Sequence, residues 1–72
     1  MNIERLIELM HATPYVPFSL LLPNGDKMRI PHADFIWVHP DRRTIIAVDV
    51  NGKTRMLNHQ MLLGIELEGS VA

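Results

Sequence analysis

Apolar residues recur at helical spacing only near the start of the chain. Ile3, Leu6, Ile7 and Met10 form one stripe, which predicts a helix over residues 2–12. Asn2 is placed as its N-cap, and Glu4 sits near the positive end of the helix dipole. Thr13-Pro14 ends it, because a residue followed by proline disfavours helical backbone. Tyr15-Val16-Pro17 then reads as an extended connector.

Beyond residue 17 the period changes to short strands broken by turns. Two segments carry hairpin signals, Leu22-Pro23-Asn24-Gly25-Asp26 and Asp49-Val50-Asn51-Gly52-Lys53. In the first, a two-residue loop would set Leu22 beside Lys27 and Leu20 beside Arg29, mixing apolar and charged residues on each face. A three-residue loop, Pro23-Asn24-Gly25, sets Phe18 against Ile30 and Leu20 against Met28 on one face. Ser19 against Arg29 and Leu21 against Lys27 then occupy the other, so the faces separate and this register is preferred. The same loop length in the second hairpin sets Asp49 against Lys53, Val48 against Thr54 and Ile46 against Met56. Gly25 and Gly52 then each hold the left-handed bulge position.

Residues 35–39 are expected as a strand, either separate or the continuation of the second strand past a kink, and 61–67 as the last strand. Bends are expected at Pro31-His32-Ala33-Asp34, His39-Pro40-Asp41-Arg42 and Asn58-His59-Gln60, and a frayed tail at 69–72. The product is an α+β single domain over 1–72, in which a helix precedes about five short antiparallel strands. Strands this short and bent are expected to form a bent sheet or a small barrel, since open edges are a liability.

Composition narrows the function classes. The chain has 72 residues and no cysteine, so neither disulfides nor thiolate metal sites are available to hold so small a core. Self-association is the expected helper, with a homodimer favoured. Seven Lys and Arg against eight Asp and Glu give a net charge of −1, which does not mark an electrostatic nucleic-acid binder or a polybasic membrane segment. Neither a signal peptide nor a run of about 20 apolar residues is read, so a cytoplasmic protein is the expectation.

Two resemblances follow from these motifs. The run from Pro14 to Gly25, with Pro31-His32-Ala33-Asp34-Phe35 after it, resembles a group of short bacterial proteins. Those begin with a helix, a Pro-Phe strand, an Asn/Asp-Gly turn and a His-Pro-acid corner. Here the corner is His32-Ala33-Asp34, and the group supplies no activity to carry over. Helix first, a strand ending in Asn24-Gly25, a bent second strand, a hairpin, and a last strand after Asn58-His59 is also similar to Sm-like proteins. That resemblance implies a small barrel and an RNA site in which a Lys-His pair precedes the last strand. His59 matches the histidine, whereas Asn58 stands where the lysine would be.

Candidate chemistry is sparse. His32 and Asp34 lie two apart, so on a strand they share a face and are the candidate metal ligands. His32, His39 and His59 all fall at turns, however, where polar residues satisfy loose backbone groups, and no His-Glu-x-x-His motif is present. No hydroxyl lies in a Gly-x-Ser-x-Gly elbow and the four glycines are scattered, so neither a nucleophile site nor a phosphate loop is read. The chain is read as a non-enzyme without a cofactor. Arg42, Arg43, Lys53, Arg55 and His59 are the candidate nucleic-acid contacts, with Trp37 as a stacking aromatic. Acidic neighbours at Asp26, Asp41 and Asp49 favour a solvated face instead. Residues 35–38 are apolar on both sides, Phe35 and Trp37 on one and Ile36 and Val38 on the other. This marks either a central strand or a subunit interface, and Phe35 and Trp37 are assigned to an interface. A self-associating protein-interaction module is the leading reading, and an Sm-like barrel that binds RNA or DNA weakly is the alternative.

Overall fold

The protein, described by a computed structural model over residues 1–68, has one helix and six strands in two three-stranded antiparallel sheets. Helix α1 (Ile3–Met10) is followed by β1 (Phe18–Leu21), β2 (Lys27–Ile30), β3 (Ile36–Val38), β4 (Thr44–Val48), β5 (Thr54–Asn58) and β6 (Gly64–Leu67). One sheet runs in the order β2-β1-β6 and the other β3-β4-β5. The α+β class therefore stands. The expected bent sheet or small barrel of about five strands is instead six strands divided between two sheets, and no closed barrel is found among the described residues. The tail expected over 69–72 lies outside them.

The difference comes from two 3-10 turns. Ala33–Phe35 takes Phe35 out of the expected third strand, and His59–Met61 shortens the last one to Gly64–Leu67. Each turn is anchored locally. Phe35 N–H donates to the His32 carbonyl at 3.1 Å, and the Asn58 side chain accepts from Gln60 N–H at 2.9 Å. β6 then returns to the first hairpin and pairs with β1, Leu20 against Ile65 and Phe18 against Leu67.

Both hairpin registers are as the patterning requires. Phe18 pairs with Ile30 and Leu20 with Met28, while Ile46 pairs with Met56 and Val48 with Thr54. Gly25 and Gly52 have φ of 89° and 81°, the left-handed backbone that a bulged three-residue loop demands. Short polar side chains brace each loop. Asn24 Oδ1 accepts from Asp26 N–H at 3.0 Å, and Asp49 Oδ1 accepts from the N–H groups of Asn51 and Lys53 at 2.9 and 3.0 Å.

The two sheets and α1 enclose one core. Leu6 and Leu9 come from the helix, Phe18, Leu20, Met28 and Ile30 from one sheet, and Ile36, Ile45 and Ala47 from the other. Asn2 caps α1 by accepting from Glu4 N–H at 2.9 Å, and the helix ends at Met10, the last residue of its apolar stripe and two residues before the end expected from Thr13-Pro14. Tyr15 covers one side of the core. Its ring lies 5.9 Å from that of Phe18 and its hydroxyl donates to the Ile30 carbonyl at 2.8 Å. Burial pushes its phenol up to about 12.

The β3–β4 turn is built differently. Its chain reversal spans residues 40–43, closed by Arg42 N–H on the His39 carbonyl at 2.8 Å and His39 N–H on the Thr44 carbonyl at 2.9 Å. The Asp41 carboxylate holds it, accepting from Arg43 N–H at 2.8 Å, Thr44 N–H at 2.9 Å and the Thr44 hydroxyl at 2.9 Å. The hydrogen bonds from the Thr44 and Arg43 backbone pull the Asp41 carboxyl down to about 2.

Two expectations follow. Added side chains at Gly25 or Gly52 meet open space, so the cost of Gly→Val is one of backbone conformation, about 1–2 kcal/mol each. Thermal denaturation should show each variant melting several degrees below the parent. Because the folded-state pKa of Asp41 lies below its ordinary 3.8, its contribution is complete above about pH 4 and is lost as pH falls through about 2. Asp41→Asn should lower the melting temperature at neutral pH, and its difference from the parent should shrink as both are acidified towards pH ~2.

Candidate interaction surface

The side of β3-β4-β5 turned away from the core carries a continuous apolar row. Trp37 lies opposite Ile46, and Ile46 opposite Met56, so the three side chains cross the full width of the sheet. Alternation explains the placement: Ile36, Ile45 and Ala47 face inward and are buried, which turns their neighbours outward. Trp37 is 50% exposed and Met56 72% exposed. Val48, half-buried, extends the row along β4, and Val50 stands exposed in the following loop. The Trp37 ring meets the edge of His39 at 5.6 Å.

β3 is an edge strand, not a central one, so its two-sided apolar character is not explained by burial within the sheet. The two residues assigned to an interface divide. Trp37 stands on the exposed face, whereas Phe35 belongs to the preceding 3-10 turn, packs partly against the core and lies 5.9 Å from the His32 ring. Ile46 and Met56 join Trp37 only through the β3–β4 register. The β4–β5 pairing was legible from the loop, but nothing in the sequence alone aligned β3 with it.

The candidate nucleic-acid residues are not gathered on one surface. Arg42 and Arg43 sit at the β3–β4 turn, and Lys53 sits at the far end of β4, about 20 Å away at ~3.3 Å per residue. Arg55 lies opposite Ala47, so it stands on the other side of β5 from Met56. His59 is engaged by the N-terminus, its Nδ1 being 2.9 Å from the Met1 carbonyl. On the other sheet the remaining strand cations are neutralised. Lys27 Nζ lies 3.0 Å from Glu66, and Arg29 makes a two-pronged pair with Glu68, with its closest approach at 2.8 Å.

His32 and Asp34, the candidate metal ligands, flank Ala33 at the start of the 3-10 turn. Among the described residues no group of three or more His, Asp or Glu is placed to hold a metal ion. No described helix is long and apolar enough to cross a membrane.

The feature that sequence patterning missed is Arg42, whose φ is 58°. It follows Pro40-Asp41 as Gly25 follows Pro23-Asn24, and that parallel is the signal that could have found it. No protein-family model, no curated protein and no solved structure matches this chain.

Proposed function

We propose that this protein is a non-enzymatic interaction module that associates with a second copy of itself through the outer face of β3-β4-β5. The observation that carries this reading is Trp37, half exposed and aligned with Ile46 and Met56 in one apolar row. Tryptophan and methionine are enriched at protein interfaces, and a large aromatic left in water forgoes much of its burial energy. A two-fold pairing would set this row against its own copy and cover it in both. A face of three strands of three to five residues is small beside the ~800 Å² per partner of a standard interface, so weak association is expected. The small size of the chain supports the same reading, because a single core of this size is marginal alone.

The alternative, weak RNA or DNA binding, has less support. Lys27 and Arg29 are paired with Glu66 and Glu68, and the remaining cations are dispersed between the two ends of the second sheet.

Light scattering at ~100 µM should report a mass above the 8.2 kDa of one copy. Met56→Glu should return the monomer mass with the fold intact, since Met56 is exposed in the single chain. A parent protein that stays monomeric at that concentration would remove the proposal. For the alternative, gel-shift with mixed-sequence RNA at physiological salt should show no binding tighter than ~10 µM. Submicromolar binding that weakens when Arg43 and Arg55 are both changed to Glu would reverse the ranking.

A further inference from the structure

Arg42 is the one non-glycine among the described residues with left-handed backbone. The other two left-handed residues, Gly25 and Gly52, are glycines at the ends of hairpin loops, where that conformation is free of strain. An arginine in the same conformation is strained, and a glycine or asparagine would close the turn more comfortably. The turn does not need the arginine side chain, since Asp41 supplies its side-chain bracing. The turn fixes the left-handed backbone at this position, as it does at the two glycines, so what the turn leaves unexplained is the arginine side chain.

The side chain of Arg42 lines a groove of about 390 Å³ between α1 and β3. That volume falls within the range of small-molecule sites, ~300–1,000 Å³. Ile7, Met10 and Trp37 give the groove an apolar wall, and His11, His39 and Arg42 give it a polar one. Arg42 brings a fork of guanidinium donors. Its nearest carboxylate, Glu4, is 3.8 Å away, and both side chains are largely exposed, so the pair is loose. His39 Nδ1 accepts from Asp41 N–H at 3.0 Å, which places the proton of the neutral ring on Nε2 as a donor. No acidic side chain lines the groove.

We infer that this groove binds a small organic oxyanion, a carboxylate or phosphate carried on an apolar or aromatic body. The anionic head meets Arg42 and His39, and the body lies against Trp37 and Met10. The left-handed backbone at position 42 is what holds the guanidinium at the mouth of the groove. The site is formed within a single copy, so a monomeric result in light scattering leaves this inference standing.

Trp37 is the single tryptophan of the chain, so its fluorescence reports on the groove directly. Phenylacetate and phenyl phosphate are titrated into the whole protein, with phenylacetamide as the uncharged counterpart. A saturable change in Trp37 emission with either anion is expected, and the one that saturates identifies the head group. Phenylacetamide should bind about tenfold more weakly or worse, through loss of charge-assisted hydrogen bonds. Arg42→Asn should weaken anion binding by a similar factor while leaving the melting temperature equal or higher, since asparagine tolerates the left-handed region. Lack of a saturable response to both anions, equal binding of the amide, or unchanged anion binding in Arg42→Asn would each overturn the inference.

Discussion

The left-handed residue that closes each hairpin loop is the constraint on which the rest of the molecule depends. At Gly25 and Gly52 it forces a bulged three-residue loop, and loop length sets register. Register in turn decides which side of each strand meets the core, because a slip of one residue would exchange the faces. Phe18, Leu20, Met28 and Ile30 are buried together for this reason, while Lys27 and Arg29 are held on the opposite side of the same strands. The outward row on the second sheet is a product of the same device, since the Val50-Asn51-Gly52 loop aligns Met56 with Ile46.

What was legible in the sequence divides along the distance between the residues involved. The helix, its Asn2 cap and both three-residue hairpins rest on contacts within a few residues, and the structure has each of them. The pairing of β6 with β1 joins residues nearly fifty apart, and no local pattern specifies it. The 3-10 turns at Ala33–Phe35 and His59–Met61 fall on the expected bends, but each takes in one residue more, Phe35 and Met61, whose apolar character suits a strand. The hydrogen bonds that tighten the turns are short-range choices that hydrophobic periodicity does not record. The candidate sites followed the same division. Trp37 was identified from strand alternation alone, whereas the row that gives it neighbours needed the β3–β4 register.

Charge placement shows how a nearly neutral chain keeps its two sheets different. On the first sheet, Lys27 and Arg29 reach to Glu66 and Glu68 at the other edge, across Ser19 and Leu21 of the central strand. These pairs are exposed and contribute little energy each. They cover the outer face with charge, which keeps that sheet in water. The second sheet lacks such a cover on its outer side, where Trp37, Ile46 and Met56 lie instead. The asymmetry between the two outer faces is therefore a property of side-chain pattern, since the two sheets share the same strand number and antiparallel order.

Trp37 stands at the boundary between that apolar face and the groove beside α1, and the two surfaces make different demands on it. The proposed docking face would present the tryptophan to a flat partner, where area and shape decide affinity. The groove is lined by the same residue together with His39 and Arg42, and for the proposed anion charge and a few directed donors would decide affinity. Under the two proposals together, a residue shared by both surfaces would couple them, because an occupant of either would restrict the same indole. Such a coupling would act reciprocally, so that a groove ligand would shift self-association by the same factor by which self-association would shift its binding. Arg42 closes its turn as Gly25 and Gly52 close theirs, with its N–H on the His39 carbonyl, so turn chemistry accounts for the left-handed backbone at all three and leaves only the arginine side chain, which lies beside the groove, unexplained by the turn.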